Sequence, residues 1–283
     1  MKVIWVYEDF EKLPLSRLEV TMLLTSTKLW GFYHPEDTRV LYCNLKLGNT
    51  LKSLGVLKSF DKVIILPSNE DFSVDTHIFW SFSKLKTLLI QEEPIILMDH
   101  DFIPLCRIKD SLDLDRVCYC NTEYATGYYP GNIDSYVKQL SWKTRWPEYS
   151  ANVGFLYLPD PEFTRYYAGT SVQVMEEFTN LKVPNSLYLI FAEQMVLKQL
   201  LQDQPQQVLL RDVWRCKEHR WDSKNVDQNG IWTLEEASRI KFHHYGPSKK
   251  HLVGDDYGRE LNWLFNLLQP SEELQEKILK IRK

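Results

Sequence analysis

No apolar run in this 283-residue sequence approaches the roughly 18 residues that a membrane-spanning helix needs, so no span is expected. The opening MKVIWVYEDFEK passes from a short apolar stretch straight into acidic residues, which reads as the absence of a signal peptide. Cysteine is sparse and unpatterned. Cys43, Cys106, Cys118, Cys120 and Cys216 are odd in number and contain no Cys-x-x-Cys pair, which argues against a disulfide framework and against a four-cysteine zinc site. A reducing, cytoplasmic compartment is the resulting expectation. The net charge of -4 exerts no global pull toward nucleic acid or anionic membrane. Internal repeats and low-complexity tracts are also missing, which removes solenoid and fibrous architectures.

What is present is a globular composition, 44% hydrophobic and 25% charged, with length enough for one large α/β domain or two small ones. Short β-branched runs recur at Val3 to Tyr7, Arg39 to Cys43, Lys62 to Leu66 and Pro94 to Met98. Near-continuous apolar runs of this kind are typical of strands buried on both faces of a parallel sheet. The segments Leu13 to Trp30 and Thr76 to Gln91 are long and amphipathic enough for crossover helices, and Leu47 to Ser59 makes a shorter one. The first hundred residues therefore predict a doubly wound α/β pattern.

After Asp101 the pattern loosens into a strand at Arg116 to Cys120, a Gly- and Pro-bearing loop from Thr126 to Asn132, a helical stretch through Lys138 and a strand segment from Ala151 to Leu158. Pro161 to Asn180 and Ser186 to Gln202 read as helices, and the polar loop Gln202 to Gln207 is the best candidate linker. A strand at Arg239 to His243, the apolar stretch Leu261 to Leu268 and a charged helix from about Ser271 to Lys283 complete the chain.

Two Asp-x-Asp triplets occur, and they differ in context. Asp113-Leu114-Asp115 follows Lys109-Asp110-Ser111 and reads as a solvated loop. Asp99-His100-Asp101 follows Pro94-Ile95-Ile96-Leu97-Met98, which puts both carboxylates at the carboxyl end of a central strand. In open α/β sheets that edge is where ligands bind. Two close carboxylates repel each other unless a cation lies between them, and hard oxygen ligands suit Mn²⁺ or Mg²⁺, which would neutralise a diphosphate. A solvated turn is the bland alternative.

Further marks stand in order around this triplet: Phe79-Trp80 and Lys84 about fifteen residues before it, then Asn152-x-Gly154, Glu193-Gln194 and His243-x-x-Gly246-x-x-Lys249. The series resembles GT-A glycosyltransferases with a DxD motif, of the retaining type typified by glycogenin and the lipopolysaccharide galactosyltransferases, across roughly residues 1 to 250. The resemblance implies a GT-A, Rossmann-like mixed sheet flanked by helices over 1–253, with a C-terminal helical extension over 254–283. It implies metal ligation by Asp99, Asp101 and His243, with His244 as rival, phosphate contact by Lys249, with Lys250 as rival, beside a close backbone approach at Gly246, and donor binding by Lys84 and Asp99. By position alone, Val6, Tyr7 and Glu8, with Cys43 and Asn44 beside them, are expected to meet base and ribose. Asn152 resembles the segment that shapes the acceptor side, while Glu193 and Gln194 stand where the family commonly has Asp-Gln; with Asp99 and Asp101 they are the expected catalytic residues.

The activity implied is transfer of a sugar from a nucleotide sugar, UDP-linked by expectation, to an acceptor, with retention favoured. An inverting relative would need a base, for which Glu193 and Glu123 are candidates. The acceptor is a glycan, a protein or modified DNA. Basic residues at Lys241, Lys249, Lys250 and Arg259, with Arg211, Arg215, Lys217 and Arg220, keep a phage-type enzyme acting on hydroxymethylcytosine as an alternative. Two others are a non-catalytic nucleotide-binding module and a metal-dependent nucleotidyltransferase. The latter usually carries a glycine-rich loop after its first strand, where Tyr7-Glu8-Asp9-Phe10 has no glycine.

Overall fold

The computed structural model describes residues 1–8, 16–67, 73–76, 78–124, 133–142, 146–184, 187–217, 220–222, 242–244 and 254–281. The fold is mixed α/β, and its contacts divide it into two compact units: 1–67 with 96–112 and 231–283, and 68–95 with 113–230. The loop at 202–207, expected as a linker, lies inside the second unit.

In the first unit, β1 (Lys2–Tyr7), β2 (Thr38–Cys43) and β3 (Lys62–Ile65) pair in parallel, and β4 (Ile95–Met98) follows on the other side of β1. The register sets Tyr7 level with Cys43, so the two strands end at one edge. Between β1 and β2 runs α1 (Arg17–Tyr33), opened by a capping box in which the Ser16 hydroxyl accepts from the Glu19 amide and the Glu19 carboxylate accepts from the Ser16 amide. Trp5 of β1 donates through its indole N–H to the Ser26 hydroxyl at 3.0 Å, which ties α1 to its strand. Apolar residues lie around most of α1, and its outer side is covered by α8 (Gly254–Leu268) and α9 (Glu272–Leu279). Lys28 and Arg17 of α1 donate to the carbonyls of Leu268 and Ile281. The charged helix expected from about Ser271 spans Glu272–Leu279, the apolar stretch Leu261 to Leu268 forms the end of a second helix, and both pack against α1 in the first unit.

The helix α2 (Leu45–Leu54) starts on the Asn44 side chain, which accepts from the Leu47 amide at 3.0 Å, and stops on Gly55 at φ 74° and ψ 21°. A Cβ at Gly55 meets nothing within 4 Å, so only the left-handed backbone resists a side chain. Gly55→Ala is therefore expected to cost about 1 kcal/mol, read as a lower urea midpoint with unchanged slope.

The second unit carries the mixed pairing. Its strand β6 (Val117–Tyr124) runs antiparallel to β7 (Ser150–Ala151) and β8 (Phe155–Leu158), and parallel to β9 (Gln206–Lys217), whose end folds back into β10 (Arg220–Asp222). The pairing of β6 with β9 slips between Asn121 and Thr122, a bulge in the middle of the unit's polar centre. Asp160 accepts from the Glu162 amide and Pro161 occupies the first turn, so α5 (Pro161–Asn180) begins where the sequence predicts. The helix expected over 76–91 is shorter: α3 spans Phe82–Leu89. Phe79 lies flat on Phe178 of α5, ring centroids 6.5 Å apart, and the Thr179 hydroxyl accepts from the Asp75 amide. Those anchors bind the preceding turns to α5.

Candidate functional site

In the first unit the chain leaves β4 at Met98, turns through Asp99-His100-Asp101 and enters β5 (Phe102–Pro104). A short strand from far along the sequence, β11 (Phe242–His244), pairs antiparallel with β5 so that His244 faces Phe102. That pairing brings His244 beside the turn. Carboxylate oxygens of Asp99 and Asp101 and a ring nitrogen of His244 all lie within 4.8 Å of one another, with His244 Nε2 3.6 Å from Asp101 Oδ1. Asp101 is 2% exposed and His244 4%, so the group is set into the protein, not spread on its surface. Six ligands about 2.1 Å from one cation stand roughly 3 to 4.2 Å apart, a range in which the 3.6 Å separation of His244 and Asp101 falls, and two carboxylates with one imidazole suit Mn²⁺ or Mg²⁺. The spacing of the sequence motif pointed to His243. Its backbone pairs with Ile103, while its side chain, together with Gly246 and Lys249, lies outside the described residues.

The edge expected to meet base and ribose is formed by the same unit. Tyr7 packs its ring against His100 of the acidic turn, centroids 4.2 Å apart. Val6 is buried, Glu8 is half-buried, and burial together with the Glu8 charge pushes the Cys43 thiol up to about 11. Asn44 spends its side-chain oxygen on the α2 cap.

The remaining expected residues meet in the second unit. The helix predicted over 186–202 is interrupted: α6 (Leu187–Ile190) and α7 (Val196–Leu200) are joined by a π-helical turn, Phe191–Met195. Such wide turns inside helices are frequent at functional sites. Glu193 on this turn is 5% exposed and stands 3.5 Å from the ammonium of Lys84, itself 7% exposed. Next to it, Gln194 accepts from the Ser150 hydroxyl at 3.3 Å. Asn152 Nδ2 donates to Glu123 Oε1 at 2.5 Å, and Asn152 Oδ1 accepts from the Gly154 amide at 2.9 Å. The glycine of Asn-x-Gly is thus the partner that fixes its asparagine. Burial pushes the Glu123 carboxyl up to about 7, against the lowering effect of hydrogen bonds from Asn152 and Asn121. Asn121 Oδ1, fully buried on the β6 bulge, has no hydrogen-bond partner among the described residues. Glu123, Asn121 and Ser150 therefore join Asn152 and Gln194 in one polar group. Asn121 and Ser150 are the two members that the sequence did not mark.

Other features of the sequence settle into structural work. Asp113 pairs with Arg116 at 2.9 Å and accepts from the Asp115 amide, so the second Asp-x-Asp closes a local turn. A further three-residue acidic and histidine group, His34, Glu36 and Asp37, has its cation place taken by Lys109, whose ammonium is 2.6 Å from Asp37 and 3.1 Å from Glu36. In the segment from Tyr124 to Trp146, which is rich in Tyr and Trp, Trp142 packs edge-on against Trp146 at 5.1 Å and Trp146 against Phe191 of the π-turn at 4.5 Å. Much of 124–146 lies outside the described residues, as do the side chains of Arg211, Arg215, Lys217 and Arg220. No helix of the described residues is long and apolar enough to cross a membrane.

The sequence profile of the family of unknown function DUF6734 matches residues 64–253, more than half of the chain. The chain belongs to this family. No curated protein sequence matches it at a significant level. Among solved structures, the DUF6734 chain is similar to galactosyltransferase LgtC in complex with donor and acceptor sugar analogues, at a TM-score of 0.52 and 12% identity over 98% of this chain and 100% of that one. An active-site mutant of LgtC gives the same figures, TM-score 0.52 and 12% identity over 98% and 100%. At that identity the likeness establishes the fold. This DUF6734 member has the GT-A architecture, a mixed sheet flanked by helices.

Proposed function

We propose that the protein is a metal-dependent glycosyltransferase that moves a sugar from a nucleoside diphosphate, UDP by preference, to a glycan, protein or modified DNA, with retention of configuration. One observation carries the reading: Asp99, Asp101 and His244 converge within 4.8 Å at the end of β4, at the carboxyl edge where open α/β sheets bind ligands. The GT-A fold is the context that makes this group intelligible. Asp99, Asp101 and His244 would hold Mn²⁺ or Mg²⁺, and the bound cation would supply charge stabilisation to a departing diphosphate. In the transfer the bond from the anomeric carbon to the diphosphate oxygen breaks and a bond to an acceptor oxygen forms. The acceptor's proton leaves with the diphosphate, so no strong protein base is required. Tyr7, fixed against His100, offers a ring face for a base at the ends of β1 and β2. Asn152, Glu193 and Gln194, each bonded into the second unit, are the groups assigned to sugar hydroxyls.

The test is thermal. UDP or GDP with Mn²⁺ should raise the melting temperature by several degrees, as binding at about a hundred times Kd stabilises by roughly 2.7 kcal/mol. If no nucleoside diphosphate stabilises the protein with or without metal, the proposal fails.

A further inference from the structure

The backbone of the π-turn at Phe191–Met195 accepts a hydrogen bond from a side chain of α5. Tyr167 of α5 is 1% exposed, and its hydroxyl donates to the Glu193 carbonyl at 3.2 Å. Inside the turn the Val196 amide is shared between the carbonyls of Glu193 and Phe191, and the bond to Phe191 is the wide contact that defines the π geometry. A single extra residue in the turn is what sets the directions of the two side chains it carries. Glu193 reaches Lys84 and Gln194 reaches Ser150 on β7. In a continuous α-helix, neighbours diverge by about 100°, and every residue beyond the turn would be rotated by that amount.

We infer that Tyr167 is a positioning residue for the transfer step: its hydroxyl locks the π-turn so that Glu193 and Gln194 face the polar group formed with Lys84, Ser150 and Asn152. The inference rests on the functional reading above, in which Glu193 and Gln194 meet sugar hydroxyls. A buried tyrosine hydroxyl needs a partner, and here the partner is a backbone carbonyl at the residue that matters. Glu193 Oε1 and the Lys84 ammonium are 3.5 Å apart, so the pair depends on where the turn places the Glu193 backbone.

Tyr167→Phe keeps the ring and removes the bond. Thr164→Val on the same helix, which removes a fully buried hydroxyl bonded to the Asp160 carbonyl at 2.7 Å, is the control. Two readouts are compared. In hydrogen exchange, Tyr167→Phe should speed exchange of the amides over 191–197 by at least tenfold while Thr164→Val leaves them unchanged. In steady-state transfer, Tyr167→Phe should lower kcat about tenfold with donor KM within twofold, whereas Thr164→Val keeps the wild-type kcat. Unchanged exchange over 191–197 overturns the inference, and so does faster exchange accompanied by wild-type kcat. Should the wild-type protein transfer no sugar, the functional reading falls, and the role assigned to Tyr167 in transfer falls with it. The exchange result then still shows whether the hydroxyl holds the turn.

Discussion

Asp101→Ala is expected to abolish the Mn²⁺-dependent part of nucleotide stabilisation and to lower transfer by a hundredfold or more, while Asp115→Ala leaves both intact. The magnitude follows from what the residue would do. A charge-stabilising group in an active site is worth on the order of 10² to 10³ in rate when removed, because it acts on charge that develops during the reaction. Asp101 is buried to 2% exposure beside His244, so its truncation also removes a neighbour of that imidazole. Asp101→Asn separates the two effects, since it keeps shape and hydrogen-bonding capacity and removes the charge. Loss of metal response in Asp101→Asn at an unchanged apo melting temperature supports metal ligation, and a retained response sinks it. The control is chosen from the same sequence pattern. Asp115 lies in a triplet whose other aspartate is already engaged by Arg116 and by a local amide.

The contrast between those triplets shows which part of the site was legible. A strand before the acids is a local fact, and the four apolar runs that predicted β1 to β4 stand where they were read. The end of β4 therefore located Asp99 and Asp101. The histidine was harder, because its position depends on β5 pairing with a strand some 140 residues away, and a one-residue change of register exchanges His243 for His244. Composition carries no register. The same limit applies to the helix expected over 186–202. Its apolar spacing fits a continuous helix closely enough that an extra residue inside it leaves no signature, yet that residue makes the π-turn and sets the facing of Glu193 and Gln194. The linker expectation at 202–207 failed for a related reason. A polar loop looks alike whether it joins domains or merely turns a helix into a strand, and here β9 begins at Gln206.

Glu123 shows a different limit, in which residue type gives no hint of protonation state, and its replacement is expected to remove a loss of stability that sets in between about pH 4.5 and 7. The carboxyl is raised from 4.5 to about 7 by burial. An acid whose folded-state pKa lies above its unfolded value binds its proton more tightly when folded. Its contribution is fully present below about pH 4.5 and is lost as pH rises through about 7. The loss amounts to about 3 kcal/mol, at roughly 1.36 kcal/mol for each unit of difference. Glu123→Gln cannot ionise, yet it keeps an oxygen to accept from Asn152 Nδ2, so it should match the wild type near pH 4.5 and exceed it by about 3 kcal/mol at pH 8. Urea unfolding at pH 4.5, 6 and 8 measures this directly, and a difference that stays constant across the three would refute it. The carboxyl sits in the hydrogen-bonded group that links Asn152, Ser150 and Gln194, so the same titration that lowers stability also changes what Glu123 offers the Asn152 amide: the protonated and ionised forms both accept, and only the protonated form can donate.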